Sequence, residues 1–459
     1  MNSISSKQAA QFANGGLLGA DNTIRHITTD SRAITEGCMF VALSGERFDG
    51  HSFIEQAWKK GASCVLSEQK HTPPEGKSII IVKNTRKALL NLAAGYRRLF
   101  DISLVNVTGS VGKTTTKDMI ADVLSRKYIT LKTGGNFNND IGVPITLFAL
   151  DNSYETAVVE IGMNHFGEID RLAEVCTPDI GVITNVGVSH IENLGSREGI
   201  LQAKCEMLPH IKSGGYAVLN GNDDMLANIR GNEGKYGLPS DVNVIWYGIG
   251  QNNDVYADNI AGLGINGTDC TIHTPIGAFD VHITVAGEHM VLNALAATAV
   301  GYIRGLDINM IKDGIENFIP TGKRMEIIEL NNGAKIIDDS YNANPVSMKA
   351  AIDVLASCDG LKIAVLGDMG ELGDYAAQMH SDIGRYLAEK KIDGVITVGV
   401  LSENISREAK AGGVPYVRCF ERVNDLLNME FVPKGTILVK ASHAMDFSKI
   451  VDSMKRCSP

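Results

Sequence analysis

The chain has 459 residues, of which 44% are hydrophobic and 21% are charged, and its formal net charge is −10. This length predicts two or three domains, and the acidic balance disfavours nucleic acid and anionic membrane surfaces as partners. With no run of about 18 apolar residues, no signal-peptide layout and eight cysteines from Cys38 to Cys457 that form no CxxC pair, we expect a cytoplasmic protein without a membrane span and with reduced thiols.

Residues 1–83 alternate short apolar runs with polar helical stretches. The runs "CMFVAL", "SCVLS" and "SIIIV" are typical of strands, and "HSFIEQAWKKGA" is typical of a helix. This pattern predicts a small α/β domain that ends near Lys83.

Residues 84–315 repeat the alternation on a larger scale. The helical stretch "TRKALLNLAAGYRRLF" leads into the strand "ISLVNVTG", and "TAVVEIG", "DIGVITNVG" and "YAVLN" predict further strands. The Gly- and Asn-rich residues 248–277 predict strands and turns ahead of the helix "HMVLNALAATAVGYIRG". These elements predict a second α/β domain.

Residues 316–459 form a third series. Its predicted strands are "KIIDDS", "KIAVLGDM", "GVITVG" and "GTILVKAS", and "AAQMHSDIGRYLAEKK" predicts a helix between them. Such alternation predicts an α/β fold of largely parallel sheets with crossover helices. Ligands of such sheets bind beyond the carboxyl ends of the strands.

The stretch "VTGSVGKTTTKDM", from Val107 to Met119, predicts a phosphate site. A buried strand ends in a glycine-containing turn, and a helix follows, so backbone N–H groups and the helix dipole favour an anion. Lys113 would supply a charge to the β- and γ-phosphates, and Thr114 a hydroxyl to Mg²⁺. The spacing G-x-x-G-K-T is shorter than the common G-x-x-x-x-G-K-[ST] pattern, and a plain glycine-rich turn is the alternative.

A Mg-triphosphate site also needs a carboxylate on a neighbouring strand. Glu160, at the end of "TAVVEIG", fits this need, although a solvated strand-end acid would have the same pattern. His190, in a loop after another strand, and Lys204, on a predicted helix, gain no role from spacing alone. The chain lacks the N-K-x-D element of guanine recognition, so a switch GTPase is disfavoured. A simple kinase would leave the first and third segments without a role.

Several motifs together make the chain resemble the Mur ligase family over essentially its full length. They are "TGSVGKTT" at Thr108–Thr115, Glu160, the loop from Asn185 to His190, Lys204 in "QAKCE", Asn293 in "NALAA", Arg324 in "GKRME" and Asp338–Pro345 in "DDSYNANP". The resemblance implies a three-domain architecture. A small UDP-sugar-binding α/β domain (1–83) precedes a central P-loop ATPase-like parallel sheet (84–315) and a Rossmann-like α/β domain (316–459).

The resemblance also implies the site residues and the cofactors ATP and Mg²⁺. Thr114, Glu160, His190 and Lys204, the last as an N6-carboxylated lysine, would serve the metal, and Lys113, Lys204, His190 and Glu160 would act in catalysis. The implied ATP-binding residues are Thr108, Gly109, Ser110, Val111, Gly112, Lys113, Thr114, Thr115, Asn293, Arg324 and Asp339. The UDP-substrate would meet Ser31, Arg32, Gly45, Asp49, Asn136, Asn138 and Asn139, and the incoming amine substrate Asn342, Asn344, Lys440 and Ser442.

Within the family, "GGNFNNDIGVPITL", "DDSYNANPVSM" and "AVLGDMGELG" resemble the branch that joins D-alanyl-D-alanine to UDP-N-acetylmuramoyl-tripeptide. In that reaction ATP activates the peptide carboxylate as an acyl phosphate, which the dipeptide amine attacks. The ligase of the preceding step shares "DSR" at Asp30–Arg32, but its "DNPR" or "DNPA" motif is absent here. A P-loop kinase or hydrolase, and a UDP-sugar-binding regulatory protein with a degenerate ATP site, are the further alternatives.

Two departures from the family pattern stand out, His289-Met290 where relatives have His-Asn, and "VKASH" at Lys440–His443 where they have "VKGSR". Each removes a polar contact, near the adenine in the first case and near the dipeptide in the second. We expect a monomer whose domains close over ATP and the UDP-tripeptide about a hinge near Ile319 to Thr321.

Overall fold

The computed structural model describes residues 1–45, 48–429 and 434–456. Glu46 and Arg47, within the "FVALSGERFDGHSFI" stretch, and Cys457 lie outside the described residues. The described strands form three large sheets, one for each segment of the chain, and a small pair of β1 and β3. The three-domain α/β prediction is therefore confirmed. Among the described residues, no helix is both long enough and apolar enough to cross a membrane.

The N-terminal sheet has the order β2-β7-β6-β5-β4, parallel except for β2. Its predicted strands at "CMFVAL", "SCVLS" and "SIIIV" are confirmed as β5, β6 and β7. The strands are β1 (Ile4–Ser5), β2 (Gly16–Gly19), β3 (Thr23–Ile24), β4 (His26–Thr28), β5 (Cys38–Val41), β6 (Cys64–Ser67) and β7 (Ser78–Ile81), and the helices are α1 (Ser6–Ala13), a 3-10 turn (Gly50–Phe53) and α2 (Ile54–Lys59). Helix α3 (Thr85–Arg97) leads from this sheet into the central one.

The central sheet has the order β16-β15-β14-β13-β12-β11-β8-β10-β9, parallel from β9 to β14 and antiparallel in its last two strands. Its strands are β8 (Ser103–Thr108), β9 (Thr130–Lys132), β10 (Thr156–Glu160), β11 (Ile180–Ile183), β12 (Tyr216–Asn220), β13 (Asn243–Ile249), β14 (Val255–Gly262), β15 (Thr268–Thr274) and β16 (Gly277–Ile283). Its helices are α4 (Lys113–Leu124), α5 (Gly142–Phe148), α6 (Glu168–Cys176), α7 (Ile191–Leu194), α8 (Arg197–Cys205), α9 (His289–Ile303) and α10 (Ile308–Glu316).

The C-terminal sheet has the order β17-β18-β22-β19-β20-β21, parallel except for the edge strand β17. Its strands are β17 (Glu326–Glu329), β18 (Lys335–Asp338), β19 (Lys362–Gly367), β20 (Gly394–Val398), β21 (Tyr416–Phe420) and β22 (Thr436–Lys440). Its helices are α11 (Pro345–Ala356), a 3-10 turn (Gly373–Tyr375), α12 (Ala376–Glu389), α13 (Glu403–Ala411), α14 (Val423–Leu427), a 3-10 turn (His443–Met445) and α15 (Ser448–Arg456).

Both faces of the central sheet are buried, as the continuous apolar runs of its strands predict. In β8, Leu104 joins the core that runs through α3, α5 and α8 into the N-terminal domain. Val105 and Val107 join the opposite core, which runs through α4 and α9 into the C-terminal domain. The alternation of side chains along one strand thus connects the central sheet to a different neighbour on each face.

Candidate functional site

A cleft of about 640 Å³ lies between the carboxyl edge of the central sheet and the C-terminal domain. Its lining begins at Ser110 in the turn after β8 and ends at His443 after β22. Because the carboxyl ends of β8, β10, β11 and β12 meet at this edge, the residues that follow them converge here. The cleft therefore brings together most of the predicted site residues.

The turn after β8 is held by the loop after β11. Val111 N–H donates to Asn185 Oδ1 over 2.9 Å, and Thr184 Oγ1 donates to Val111 O over 2.7 Å. Gly109 has φ 153° and Gly112 φ 81°. A Cβ on Gly109 would lie 1.9 Å from Thr184 Oγ1, so this position needs a glycine for space as well as for conformation. Thr108 ends the strand, and Ser110 Oγ accepts from Gly187 N over 2.9 Å.

Lys113 opens helix α4 and faces the cleft. Its Nζ donates to Gly109 O over 2.8 Å, so the ammonium folds back over the turn. Burial lowers the pKa of Lys113, and the nearby Glu160 carboxylate opposes that shift. Thr114 Oγ1 accepts from Arg324 Nη2 over 3.2 Å, and Thr115 lies beside it in the lining. The helix start thus presents a cation and a hydroxyl at one end of the cleft.

Glu160 is 1% exposed at the end of β10. Its Oε1 accepts from Asn138 Nδ2 over 2.7 Å, whereas its buried Oε2 has no hydrogen-bond partner among the described residues. A buried carboxylate oxygen without a partner is unfavourable unless a cation or donor completes the site. Glu160 therefore presents an unpartnered carboxylate oxygen at the wall of the cleft.

Asn136 and Asn138 line the cleft, but Asn139 serves the local backbone. Asn139 Oδ1 accepts from Ile141 N over 3.1 Å and from Gly142 N over 2.9 Å, ahead of α5. The side chain of Asn138 is engaged by Glu160. The structure thus gives the three predicted substrate-binding asparagines different surroundings.

Lys204 lies on α8 with 1% of its surface exposed. The described residues offer its ammonium no hydrogen bond and no ion pair. Burial, with the Lys113 charge as a further cause, lowers the pKa of Lys204 well below the ordinary lysine value. Lys204 is therefore a buried lysine and not a charge on the protein surface.

His190 precedes α7 with φ 66° and lines the cleft. Its Nδ1 lies 2.7 Å from Glu371 Oε2, although the ring N–H is not aimed along that line. Hydrogen bonding by the nearby His190 imidazole holds the pKa of Glu371 below its usual value. The loop after β19 thus reaches a predicted site residue of the central domain.

The adenosine-side candidates lie around the start of α9. Asn293 Oδ1 accepts from Thr116 Oγ1 over 2.9 Å, and its Nδ2 lies 3.3 Å from Met290 Sδ. The predicted departure at Met290 therefore has a structural counterpart, a thioether facing the Asn293 amide. Burial also lowers the pKa of His289.

The C-terminal candidates surround Lys440, which is 2% exposed. Lys440 Nζ donates to Asp339 Oδ2 and to Asn342 O, and Asp339 Oδ1 accepts from Met325 N over 3.3 Å. Asn344 caps α11 by accepting from Ser347 N over 2.9 Å. Ser442 lies outside the cleft lining, whereas His443 lines it and stacks at a tilt on Tyr341.

The candidates in the N-terminal domain are not brought into the cleft. Ser31 O accepts from Lys60 Nζ over 2.8 Å, Arg32 pairs with Asp30, and the Gly45 N–H donates to Phe48 O over 2.9 Å. Asp49 caps the Gly50–Phe53 turn, with Oδ1 accepting from His51 N. Hydrogen bonds from Arg32 lower the pKa of Asp30 to about 2. These side chains serve local geometry in this structure.

The cleft also contains residues that the sequence analysis did not assign. Asn185 begins the loop from Asn185 to His190, and Glu371 lies within "AVLGDMGELG", so both belong to stretches whose resemblance to the family was a usable signal. Tyr341 lies within "DDSYNANP", and the Arg324 guanidinium carbon lies over the Tyr341 ring, 4.0 Å from the ring centroid. Tyr247, in β13, had no such signal.

The donors fit Mg²⁺ in part. Among the described residues, no group of three or more His, Cys, Asp or Glu is arranged to hold a metal. Mg²⁺ ordinarily keeps several waters and substrate phosphates, so one carboxylate and one hydroxyl suffice from the protein. Thr114 and Glu160 are donors of these two kinds, and both line the cleft. A P-loop at the edge of a parallel sheet, closed over by a second α/β domain, defines a nucleotide-binding α/β protein.

Comparisons with known proteins agree with this class. The Mur ligase family catalytic domain matches residues 23–97, the Mur ligase middle domain residues 107–301, and the Mur ligase glutamate ligase domain residues 323–443. The chain is 40% identical to UDP-N-acetylmuramoyl-tripeptide--D-alanyl-D-alanine ligase of Bacillus subtilis, covering 98% of this chain and 97% of the relative. It is 37% identical to the Escherichia coli protein of that name, covering 99% of each.

Solved structures give the same result. A crystal structure of MurF from Acinetobacter baumannii matches with a TM-score of 0.90 and 34% identity over 99% of each chain. MurF ligase from Thermotoga maritima in complex with ADP matches with a TM-score of 0.82 and 27% identity, covering 94% of this chain and 97% of that one. The chain belongs to the Mur ligase family.

Proposed function

We propose that this chain is an ATP-dependent ligase that joins D-alanyl-D-alanine to UDP-N-acetylmuramoyl-tripeptide, releasing ADP and phosphate, in the cytoplasmic synthesis of peptidoglycan precursor. The names of the full-length relatives support this reaction. The observation that carries the proposal is the convergence of Lys113, the free oxygen of Glu160 and Arg324 in one cleft formed by two domains.

The reaction activates a carboxylate, which is by itself a poor electrophile. The γ-phosphoryl group passes from ATP to the terminal carboxylate of the tripeptide, giving an acyl phosphate and ADP. The dipeptide amine attacks the acyl carbon, a tetrahedral intermediate forms, and phosphate leaves as the amide closes. Because anionic groups must approach each other, Lys113 and the N–H groups at the start of α4 provide the main protein contribution by stabilising negative charge.

Thr114 and Glu160 would hold the Mg²⁺ of the nucleotide, and His190 with a carbamate on Lys204 would hold a second Mg²⁺. The metal would supply charge neutralisation between phosphate and carboxylate. Carbamate formation needs a neutral amine, and burial keeps Lys204 in that form at lower pH than an exposed lysine. The carbamate would place an anionic oxygen ligand near Lys113, whose charge favours it.

The domains divide the substrates among them in this proposal. Residues 1–83 would bind the UDP-sugar through Ser31, Arg32, Gly45 and Asp49, residues 84–315 would bind ATP, and residues 316–459 would bind the dipeptide through Asn342, Asn344, Lys440 and Ser442. Asn293, Arg324 and Asp339 would contact the adenosine side. The protein would work as a monomer.

Phosphate release measured with each substrate omitted in turn tests the function. The ligase requires ATP, UDP-tripeptide and D-alanyl-D-alanine together and forms one amide for each phosphate. Free phosphate released at the full rate without the dipeptide would indicate a hydrolase, and ADP formed without the dipeptide and without free phosphate would indicate a kinase. No release with any combination would indicate a UDP-sugar-binding regulatory protein. The same assay with lysine or diaminopimelate as third residue identifies the peptide.

A further inference from the structure

Glu371 extends from the C-terminal domain to a residue of the central domain. It follows β19, and its Oε2 lies 2.7 Å from His190 Nδ1 in the loop before α7. The His190 side chain is 18% exposed and that of Glu371 53% exposed, and both line the cleft. The contact therefore joins two domains at the wall of the site.

Both partners have an unusual backbone conformation. His190 has φ 66° and Glu371 has φ 62°, in the left-handed region that non-glycine residues avoid at a cost of about 1 kcal/mol or more each. Two residues on separate domains thus both adopt a disfavoured conformation where their side chains meet. This backbone geometry brings the two side chains together and is what the contact requires if it has a role.

The loop around Glu371 is anchored on the central domain. Leu372 is 2% exposed, and a Cβ on Gly373 would lie 3.3 Å from Glu192 Cβ in α7. The chain after Glu371 thus lies directly on the helix that follows His190. The position of the Glu371 carboxylate is therefore tied to how the two domains are docked.

The contact engages one imidazole nitrogen and leaves the other available. A carboxylate on Nδ1 favours the tautomer that carries the proton there, with the lone pair on Nε2. Partners of this kind orient a histidine towards the group it serves. The two atoms are at ion-pair distance without an aligned hydrogen bond, and such contacts commonly tighten when substrates bind.

We propose that Glu371 is a positioning residue that fixes the imidazole of His190 only when the central and C-terminal domains are docked, so that this part of the site is completed by domain closure. The inference rests on the proposed ligase function for the role of His190. A surface ion pair without such a role is the alternative, and exposed pairs contribute little to stability. The effect should therefore be on the reaction and on the imidazole, with little effect on folding.

Glu371→Ala and Glu371→Gln test the proposal, with Glu192→Gln as the matched control. Glu192→Gln removes the same charge from the neighbouring helix α7, and Glu192 makes no ion pair within the described part of the chain. For Glu371→Ala we expect kcat/KM for the dipeptide to fall about 10–100-fold, and the affinity for Mn²⁺ in the closed complex to fall about tenfold or more. Glu371→Gln, which retains an acceptor oxygen, should lie between Glu371→Ala and the wild type.

A spectroscopic measurement separates this proposal from the proposed function. NMR of protein labelled with ¹⁵N-histidine reports the tautomer of His190 in the presence of a non-hydrolysable ATP analogue and UDP-tripeptide. The His190 signal is assigned as the one that is lost in His190→Gln. The wild type and Glu192→Gln should show the Nδ1–H tautomer, and Glu371→Ala should show a mixture. Identical His190 signals in wild type and Glu371→Ala, or a kcat/KM within twofold, would overturn the positioning role. A wild type that forms no amide would overturn the ligase function, while the tautomer remains readable.

Discussion

Lys113 illustrates how one side chain can be removed without removing the site around it. Its ammonium contacts Gly109 O, whereas the turn is held at Val111, whose N–H donates to Asn185 Oδ1 and whose carbonyl oxygen accepts from Thr184 Oγ1, so these bonds do not depend on the lysine. For Lys113→Ala we expect turnover to fall at least about a hundredfold with the fold intact, because a charge directed at the transferring phosphoryl group is lost. Steady-state kinetics and circular dichroism measure the two effects, and near-normal turnover would reduce the motif to a turn.

The carbamate proposed for Lys204 should make the enzyme's activity depend on carbon dioxide. Lys204→Ala is expected to be nearly inactive, and bicarbonate should raise the activity of carbonate-depleted wild type. Short carboxylic acids should restore part of the variant's activity by supplying the missing oxygen ligand. Full activity of Lys204→Ala with no bicarbonate effect would contradict the carbamate.

Lys204 should also make stability depend on pH. Its pKa in the folded protein is well below 10.5, the ordinary value, so the unfolded chain binds the proton more tightly. The resulting loss of stability is absent above the unfolded-state pKa and grows as pH falls towards the folded-state pKa. In buffer free of carbon dioxide, Lys204→Met should raise the unfolding midpoint by about 2–4 °C or more at pH 7 and by less at pH 10. A midpoint below that of the wild type at pH 7 would show that the lysine is not destabilising.

At the scale of elements, the turn between β8 and α4 depends on one glycine for its shape. An alanine Cβ at position 109 would lie 1.9 Å from Thr184 Oγ1, and the backbone has φ 153°. Gly109→Ala should therefore displace the turn from the loop after β11 and weaken ATP binding about tenfold or more, as measured by calorimetry. Gly134→Ala is the control, because nothing lies within 4 Å of its Cβ. Equal ATP affinity in both variants would mean that the turn adapts.

The elements were largely predictable because their signals are local. The apolar runs that became β5, β8, β10, β11 and β22 are short, continuous and followed by turn residues, and the P-loop is read within one stretch of chain. The hairpin of β15 and β16 was harder to predict from the sequence, because its residues alternate polar and apolar types among glycines and asparagines. Its antiparallel pairing follows from the tight turn between the two strands.

The site was less predictable than the fold, because its contacts join distant stretches of chain. The strand-end pattern indicated Glu160 and the resemblance indicated Lys204, but no spacing rule indicates that Asn138 hydrogen-bonds Glu160 or that Glu371 meets His190. Likewise, the burial of Lys204 depends on how α8 packs. These relations appear only when the carboxyl ends of the strands and the C-terminal domain are assembled.

For the whole molecule, the structure has the central and C-terminal domains docked. Arg324 contacts Thr114, and Thr321 Oγ1 donates to Asp118 Oδ2 over 2.6 Å, which ties the linker to α4. The predicted hinge near Ile319 to Thr321 must therefore break this bond or bend beyond it, where Lys323 and Met325 have φ values of 63° and 52°. Either movement would separate Arg324 from the P-loop.

Solution scattering tests closure. With ATP analogue, Mg²⁺ and UDP-tripeptide at saturation, the radius of gyration should fall relative to the free protein, because the ligands contact both domains only when these are docked. Lys113→Ala serves as a control, since weaker nucleotide contacts should leave more of the open form. An unchanged distance distribution in the wild type would rule out the movement.

The linker of residues 317–325, in which Ile319 is 79% exposed, also determines the effective concentration of the C-terminal domain at the central domain, which provides the other part of the cleft. A short covalent tether holds its ends at an effective concentration of about a millimolar. If a protease cut the linker, the apolar contacts between the domains would have to hold two separate chains at the concentration of the protein itself. Specific activity of the cut enzyme should then fall on dilution, whereas that of the intact enzyme should stay constant. The tether would thus make catalysis independent of how much enzyme is present.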